Sequence, residues 1–132
     1  MNGPTIAQGI IKVSTQDTYL LTWIEAFLFD RKAQNLAKGT LDFYQRHLNI
    51  FIMFCDSQVI TQIDQLDPNI LRQYMIWLEE KGHNPGGISA AYRSLRAFLY
   101  WWEDEVEPED WKNPIRKVKA PKVALEPLEP VP

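Results

Sequence analysis

The side chains of this 132-residue sequence that could perform covalent or metal chemistry are few: His47, His83, a lone Cys55 and five tyrosines. The histidines fall in different segments with no second cysteine to join them, so the spacing holds no zinc cluster and no metal is expected. Cys55 sits on an apolar stripe, where a buried structural thiol is a better reading than a nucleophile. The run from Glu103 to Asp110 carries six acids. It lacks the alternating oxygen ligands and closing glutamate of a calcium loop and reads as solvated surface. Asn84-Pro85-Gly86-Gly87 lacks the Lys-Ser/Thr of a phosphate loop and follows no strand. Nothing in the spacing favours a Ser/His/Asp arrangement. No catalytic residue, cofactor or small-molecule substrate is therefore expected.

What remains is surface chemistry, where the distribution of charge matters more than its sum. The net charge of −3 argues against a generic polyanion binder. Locally the balance reverses. From Lys81 to Trp102 stand Lys81, Arg93 and Arg96 without an acid, and from Trp111 to Lys122 stand Lys112, Arg116, Lys117, Lys119 and Lys122, again without one. At helical spacing Ser89, Arg93, Arg96 and Tyr100 share a face within roughly 60° of one another. Arginine forks suit phosphate oxygens and the guanine major-groove edge, and hydroxyls suit phosphates. Gly86-Gly87 would offer backbone N–H groups to a phosphate at the start of that helix. An ordinary exposed polar face explains the same pattern equally well.

A second set is Lys38, Gly39 and Thr40, with Arg46 and His47 further along. Lys and Thr near a helix start could hold phosphate, although Thr40 could instead serve as a cap. Phe43 and His47, one turn apart, could pack on sugars or thymine methyls, with core packing the safer expectation for Phe43. The stretch Arg116 to Lys122, including Lys117 and Lys119, could track a DNA backbone or simply keep the chain soluble.

Four helical segments position these residues. The first spans about Thr18 to Gln34, with Leu20, Trp23, Ile24, Phe27 and Leu28 on one stripe and an exit at Asn35-Leu36. The second spans about Lys38 to Ser57. It is apolar on two sides, through Leu41, Tyr44, Leu48, Phe51, Ile52 and Cys55 and through Phe43, Ile50 and Phe54, which places it centrally. Gln58 to Leu66 reads as a connection with a little extended structure. Asp67-Pro68 and Asn84-Pro85 each combine an N-cap with a first-turn proline, and open the third and fourth segments. The third ends at Lys81-Gly82, the fourth near Val106. Hydrophobic residues make up 45% of the sequence, enough for a core. The expected fold is all-α: a compact bundle of four to five helices. Residues 1–14 are expected to form a flexible N-terminal segment, 15–112 the helical domain, and 113–132 a basic, proline-punctuated linker or tail. The absence of a signal-like start or a long apolar run, with a single cysteine, suits a cytoplasmic protein away from membranes.

The ordered set resembles the N-terminal SAM-like, or core-binding, domain of tyrosine recombinases and phage integrases. Trp23-Ile24-Glu25-Ala26-Phe27-Leu28 resembles that family's opening helix. Leu36-Ala37-Lys38-Gly39-Thr40-Leu41, followed by Tyr44, Leu48 and Phe51, resembles its second-helix motif. Asn84-Pro85, Ile88, Leu95-Arg96 and Phe98 resemble the fourth helix. Asn113-Pro114 with Val118-Lys119-Ala120-Pro121-Lys122 resembles the segment leading to the catalytic domain. The resemblance covers residues 15 to 122. Two positions depart from it: Ala37-Lys38 stands where Ser-Pro is frequent, and Gly86-Gly87 where Thr or Ser is common.

The resemblance implies half of a C-shaped clamp on double-stranded DNA, with the second and fourth helices crossing at the major groove. It carries a DNA role onto Lys38, Thr40, Phe43, His47, Ser89, Arg93 and Arg96, and places Lys117 and Lys119 along the backbone. It implies DNA integration and recombination for the parent protein, and partners in a catalytic domain of that parent and in other recombinase protomers. The Arg, Lys, His-x-x-Arg and nucleophilic Tyr of the catalytic half have no counterpart here, so this chain is not expected to be an enzyme by itself. The rival expectation is a SAM-like protein-interaction domain. An exposed aromatic patch at Tyr100, Trp101 and Trp111 would favour it.

Overall fold

The computed structural model describes residues 5–7, 10–12 and 18–122. Strands β1 (Thr5–Ala7) and β2 (Ile10–Lys12) pair antiparallel, with Ile6 opposite Ile11. This short ribbon lies where a flexible segment is expected from the sequence. The described elements after it are helices and 3₁₀ turns, and the expected all-α bundle is found.

Helix α1 (Leu20–Ala33) has no side-chain N-cap. Its start is set by tertiary pairing instead. Leu20 N–H donates to Thr61 O at 2.8 Å and Ile63 N–H donates to Thr18 O at 2.7 Å. The expected extended structure in the 58–66 connection thus consists of this pairing, followed by a 3₁₀ turn at Ile63–Gln65. Asn35, at φ 58°, turns the chain out of α1 as expected for a residue that tolerates the left-handed region.

Helix α2 (Lys38–Ser57) buries Leu48, Phe51, Phe54 and Cys55, and packs on α1, α3 and α4. Its two-sided apolar pattern is satisfied by this central position. Helix α3 (Pro68–Glu80) is capped as the sequence predicts, with Ile70 N–H donating to Asp67 Oδ1 at 2.8 Å. It ends at Gly82, whose φ of 93° is open to glycine at no steric cost. Helix α4 (Pro85–Val106) is capped by Asn84, whose Oδ1 accepts from Gly87 N–H at 2.8 Å.

The core is strongly aromatic. Phe27 meets Phe98 and Trp101 edge-on, Trp23 meets Trp101 and Trp102, and Tyr74 packs between Phe51 and Trp77. Edge-to-face pairs of this kind favour one arrangement over the many that apolar area alone would permit. The largest helix–helix contact is between α2 and α4, the two elements that carry most of the candidate site.

The segment after α4 differs from its reading as a linker. Asn113, Pro114, Ile115 and Val118 are buried, and Pro114–Lys117 forms a 3₁₀ turn. Asn113 Nδ2 donates to Leu99 O and to Glu103 Oε1, both at 3.1 Å, while its Oδ1 accepts from Ile115 N–H. Tyr92 Oη donates to Val118 O at 2.9 Å and Arg72 Nη2 donates to Lys117 O at 2.9 Å. Ile115 and Val118, three residues apart, supply apolar anchors that a mostly basic stretch conceals. The folded unit therefore extends to at least Val118.

Candidate nucleic-acid interface

The face predicted on α4 exists. Arg93 and Arg96 are exposed, Ser89 and Tyr100 are half-buried, and the opposite side of the helix is closed by Ala91, Leu95, Phe98, Leu99 and Trp102. Among the described residues no carboxylate pairs with Arg93 or Arg96. Each guanidinium lies instead against an aromatic ring: Arg93 Cζ is 5.8 Å from the Phe43 centroid and Arg96 Cζ is 5.1 Å from that of Tyr100. Such stacking limits side-chain freedom but leaves the N–H donors available. The acids that follow Trp102 begin at Glu103, about one turn beyond Tyr100 and two beyond Arg96, and Glu103 pairs with Arg116 and accepts from Asn113.

Phe43 joins the two helices at this face. Its ring contacts Tyr44 and His47 on α2 and carries Arg93 of α4. It is half-buried: part of the ring packs, as the core expectation has it, and part reaches the surface. His47 lies deeper than a surface contact would. It is 7% exposed, and its Nε2 is buried without a hydrogen-bond partner. Burial first, then the positive charges of Arg46, His83 and Arg93, hold its pKa below the ordinary 6.5. A cluster of cationic groups therefore converges where α2 crosses the start of α4.

Lys38 and Thr40 are exposed in the first turn of α2, where Ala37 provides no side-chain cap. Thr40 does not cap the helix. Lys38 pairs with Asp42 at 2.9 Å, an exposed i,i+4 contact worth only about 0.3–0.5 kcal/mol and easily exchanged for another anion. At Gly86-Gly87 one of the N–H groups considered for a phosphate, that of Gly87, is taken by Asn84. Lys117, the last residue of the 3₁₀ turn, and Lys119 are exposed. The structure thus brings Phe43, His47 and Arg93 together, sets Ser89 and Arg96 along the same helix, and places Lys38, Lys117 and Lys119 apart from that cluster.

Sequence reasoning missed the proximity of His83 to His47 and the anchoring of Arg116. The second had a signal: Asn113-Pro114 is a third cap-plus-proline pair, after Asp67-Pro68 and Asn84-Pro85.

Two groups of catalytic type, Cys55 and Tyr74, are buried in settings unsuited to a nucleophile. Cys55 is buried, and burial pushes its thiol up to about 12. Tyr74 is buried with its hydroxyl unpartnered, and desolvation raises its pKa. Trp101 and Trp111 are half-buried, as is Tyr100, so these aromatics form no fully exposed patch. Trp101 stacks on Phe98 and Trp111 packs on Trp102. Among the described residues no three potential metal ligands cluster, and no helix is long and apolar enough to cross a membrane.

Residues 23–108 match the model of the family described as phage integrase, N-terminal SAM-like domain. The chain is 29% identical over 89 residues to a tyrosine recombinase XerC of Salmonella typhi, covering 67% of this chain and 29% of that protein. It is 29% identical over 106 residues to a tyrosine recombinase XerC of Escherichia coli O6:K15:H31 (strain 536 / UPEC), covering 80% of this chain and 35% of that protein. The chain thus spans about a third of the length of the curated relatives it matches. No solved structure gives a significant match.

Proposed function

The chain belongs to the phage integrase N-terminal SAM-like domain family, and from that premise we propose that it binds double-stranded DNA as the non-catalytic clamp domain of a tyrosine recombinase. The observation that carries this reading is the pair Arg93 and Arg96. Both are exposed and unpaired by any carboxylate among the described residues; Arg93 is held on Phe43 where α2 meets α4, and Arg96 on Tyr100 further along α4. A surface that leaves two guanidiniums without a protein anion is suited to an external one.

In this reading phosphate contacts from Arg93, Arg96, Lys38 and Thr40 set the register on the duplex. Ser89 and Phe43 approach the groove, with Phe43 offering an apolar edge to sugars or thymine methyls. His47 supports Phe43 from beneath. Lys117 and Lys119 follow the backbone toward a catalytic domain of the same parent, to which strand cleavage and transfer belong. The net charge of −3 makes affinity for the isolated chain modest and strongly salt-dependent.

An NMR titration of the labelled chain with a short duplex and a scrambled control, at low and moderate salt, tests this. Shifts clustered on residues 38–47 and 89–96 that weaken with salt are the expected result. No shifts at low salt would turn the assignment toward a protein-binding module.

A further inference from the structure

Arg116 was legible in the sequence only as part of a basic tail. The structure places it elsewhere. The 3₁₀ turn at Pro114–Lys117, fixed by Asn113, brings its guanidinium to 4.8 Å from the Tyr100 centroid, the ring that Arg96 occupies at 5.1 Å. Arg116 Nη1 also approaches Tyr100 Oη at 3.4 Å. Two cations thus share one ring. A single carboxylate, Glu103, pairs with one of them: Arg116 Nη2 donates to its Oε1 at 2.8 Å, and the same oxygen accepts from Asn113 Nδ2. The cluster keeps a surplus positive charge at the surface, since Arg96 is exposed and the Arg116 side chain is 54% exposed. Like charges that share one ring repel, and an anion that reaches both relieves the repulsion.

Beside Arg116 an open cleft of about 410 Å³ is lined by Trp111, Lys112 and Lys117 as well. Cationic and aromatic side chains thus continue from α4 onto the following segment, with Glu103 lining the same cleft among them.

We propose that Arg96 and Arg116, held on the ring of Tyr100, form a site for the phosphodiester backbone of DNA that carries the α4 contact across to the 113–118 segment. This rests on the DNA-binding reading above and deepens it. Arg116 is a contact residue that the family resemblance did not mark, and Tyr100 is a positioning residue. Its ring restricts both arginines before the ligand arrives, so less freedom is lost on binding. Glu103 acts as the competing anion that phosphate displaces.

The test is fluorescence-anisotropy binding of a short duplex to the full chain, with salt stepped from low to moderate and thermal melts run on each variant. Arg116→Gln is expected to weaken binding several-fold and to lower the slope of log affinity against log salt by about 0.9, one phosphate contact. Tyr100→Leu is expected to weaken binding while Tyr100→Phe, which keeps the ring, retains it. Glu103→Gln frees Arg116 and is expected to tighten binding by more than Asp104→Asn, an exposed carboxylate on the same helix. A merely structural role for the cluster predicts the opposite for Glu103→Gln: a lower melting temperature with no gain in affinity. An unchanged salt slope in folded Arg116→Gln, or equal losses in the two Tyr100 variants, would overturn the site. If Arg93→Ala with Arg96→Ala flattens the salt slope while Arg116→Gln does not, this site alone falls. A wild-type chain that binds no duplex would remove the underlying reading too.

Discussion

Replacing both Arg93 and Arg96 by alanine separates DNA binding from stability. Both side chains are exposed and neither is ion-paired with a carboxylate among the described residues. Their loss from the folded state removes only stacking on Phe43 and Tyr100, about 0.5–1 kcal/mol each at exposed sites. For a domain of this size that lowers the melting temperature by roughly 4–16 °C in total. On DNA the effect is of another kind. Each arginine that neutralises one phosphate contributes about 0.9 to the salt slope, so the double variant loses about 1.8. Between 50 and 200 mM salt, a fourfold change, the wild type then loses about twelvefold more affinity than the variant does. Anisotropy with one duplex at four salt concentrations resolves a difference of that size. A double variant that is folded by circular dichroism and keeps the wild-type slope would refute the phosphate role of this face, whatever its affinity.

Two other outcomes follow from buried groups. Asn113→Ala removes the acceptor for the buried Ile115 N–H and both donations to Leu99 and Glu103. One orphaned buried donor with the lost bonds costs about 2–3 kcal/mol, a fall of about 10–20 °C in Tm; a fall under about 3 °C in a thermal melt would show that the turn is held without Asn113, by its apolar anchors and the bonds from Tyr92 and Arg72. His47, whose pKa is held below 6.5 in the folded state, binds a proton more readily when unfolded. The stability contributed by this neutral His47 is therefore fully present above pH 6.5 and is lost as pH drops from there toward the depressed folded value. His47→Gln is expected to lessen the loss in Tm between pH 7 and 5.5, and an identical pH profile in variant and wild type would show that His47 does not carry it.

The sequence determined the helices whose ends are written in local chemistry. Asp67-Pro68 and Asn84-Pro85 each join a capping oxygen to a proline with preset φ, and α3 and α4 start there. Gly82 ends α3 because its backbone reaches positive φ. The charged face of α4 was legible because side chains on a helix repeat every 3.6 residues whatever the helix packs against. The order of these motifs also carried the family resemblance.

Other features depend on partners distant in sequence, and no local pattern encodes those. The start of α1 is fixed by Thr61 and Ile63, more than forty residues away. His47 looks like any polar residue on a helix, yet it is buried because Phe43 covers it and α4 crosses beside it. Residues 113–118 read as a tail by composition, since charged and proline residues outnumber apolar ones. Asn113, Ile115 and Val118 are nonetheless enough to dock them, once α3 and α4 present the carbonyl of Leu99 and the side chains of Glu103, Arg72 and Tyr92. The residue types and their helical phase came from the sequence alone. Which cations stand free, which are paired and which share a ring was decided only by tertiary packing, because burial and charge pairing are properties of neighbours in space.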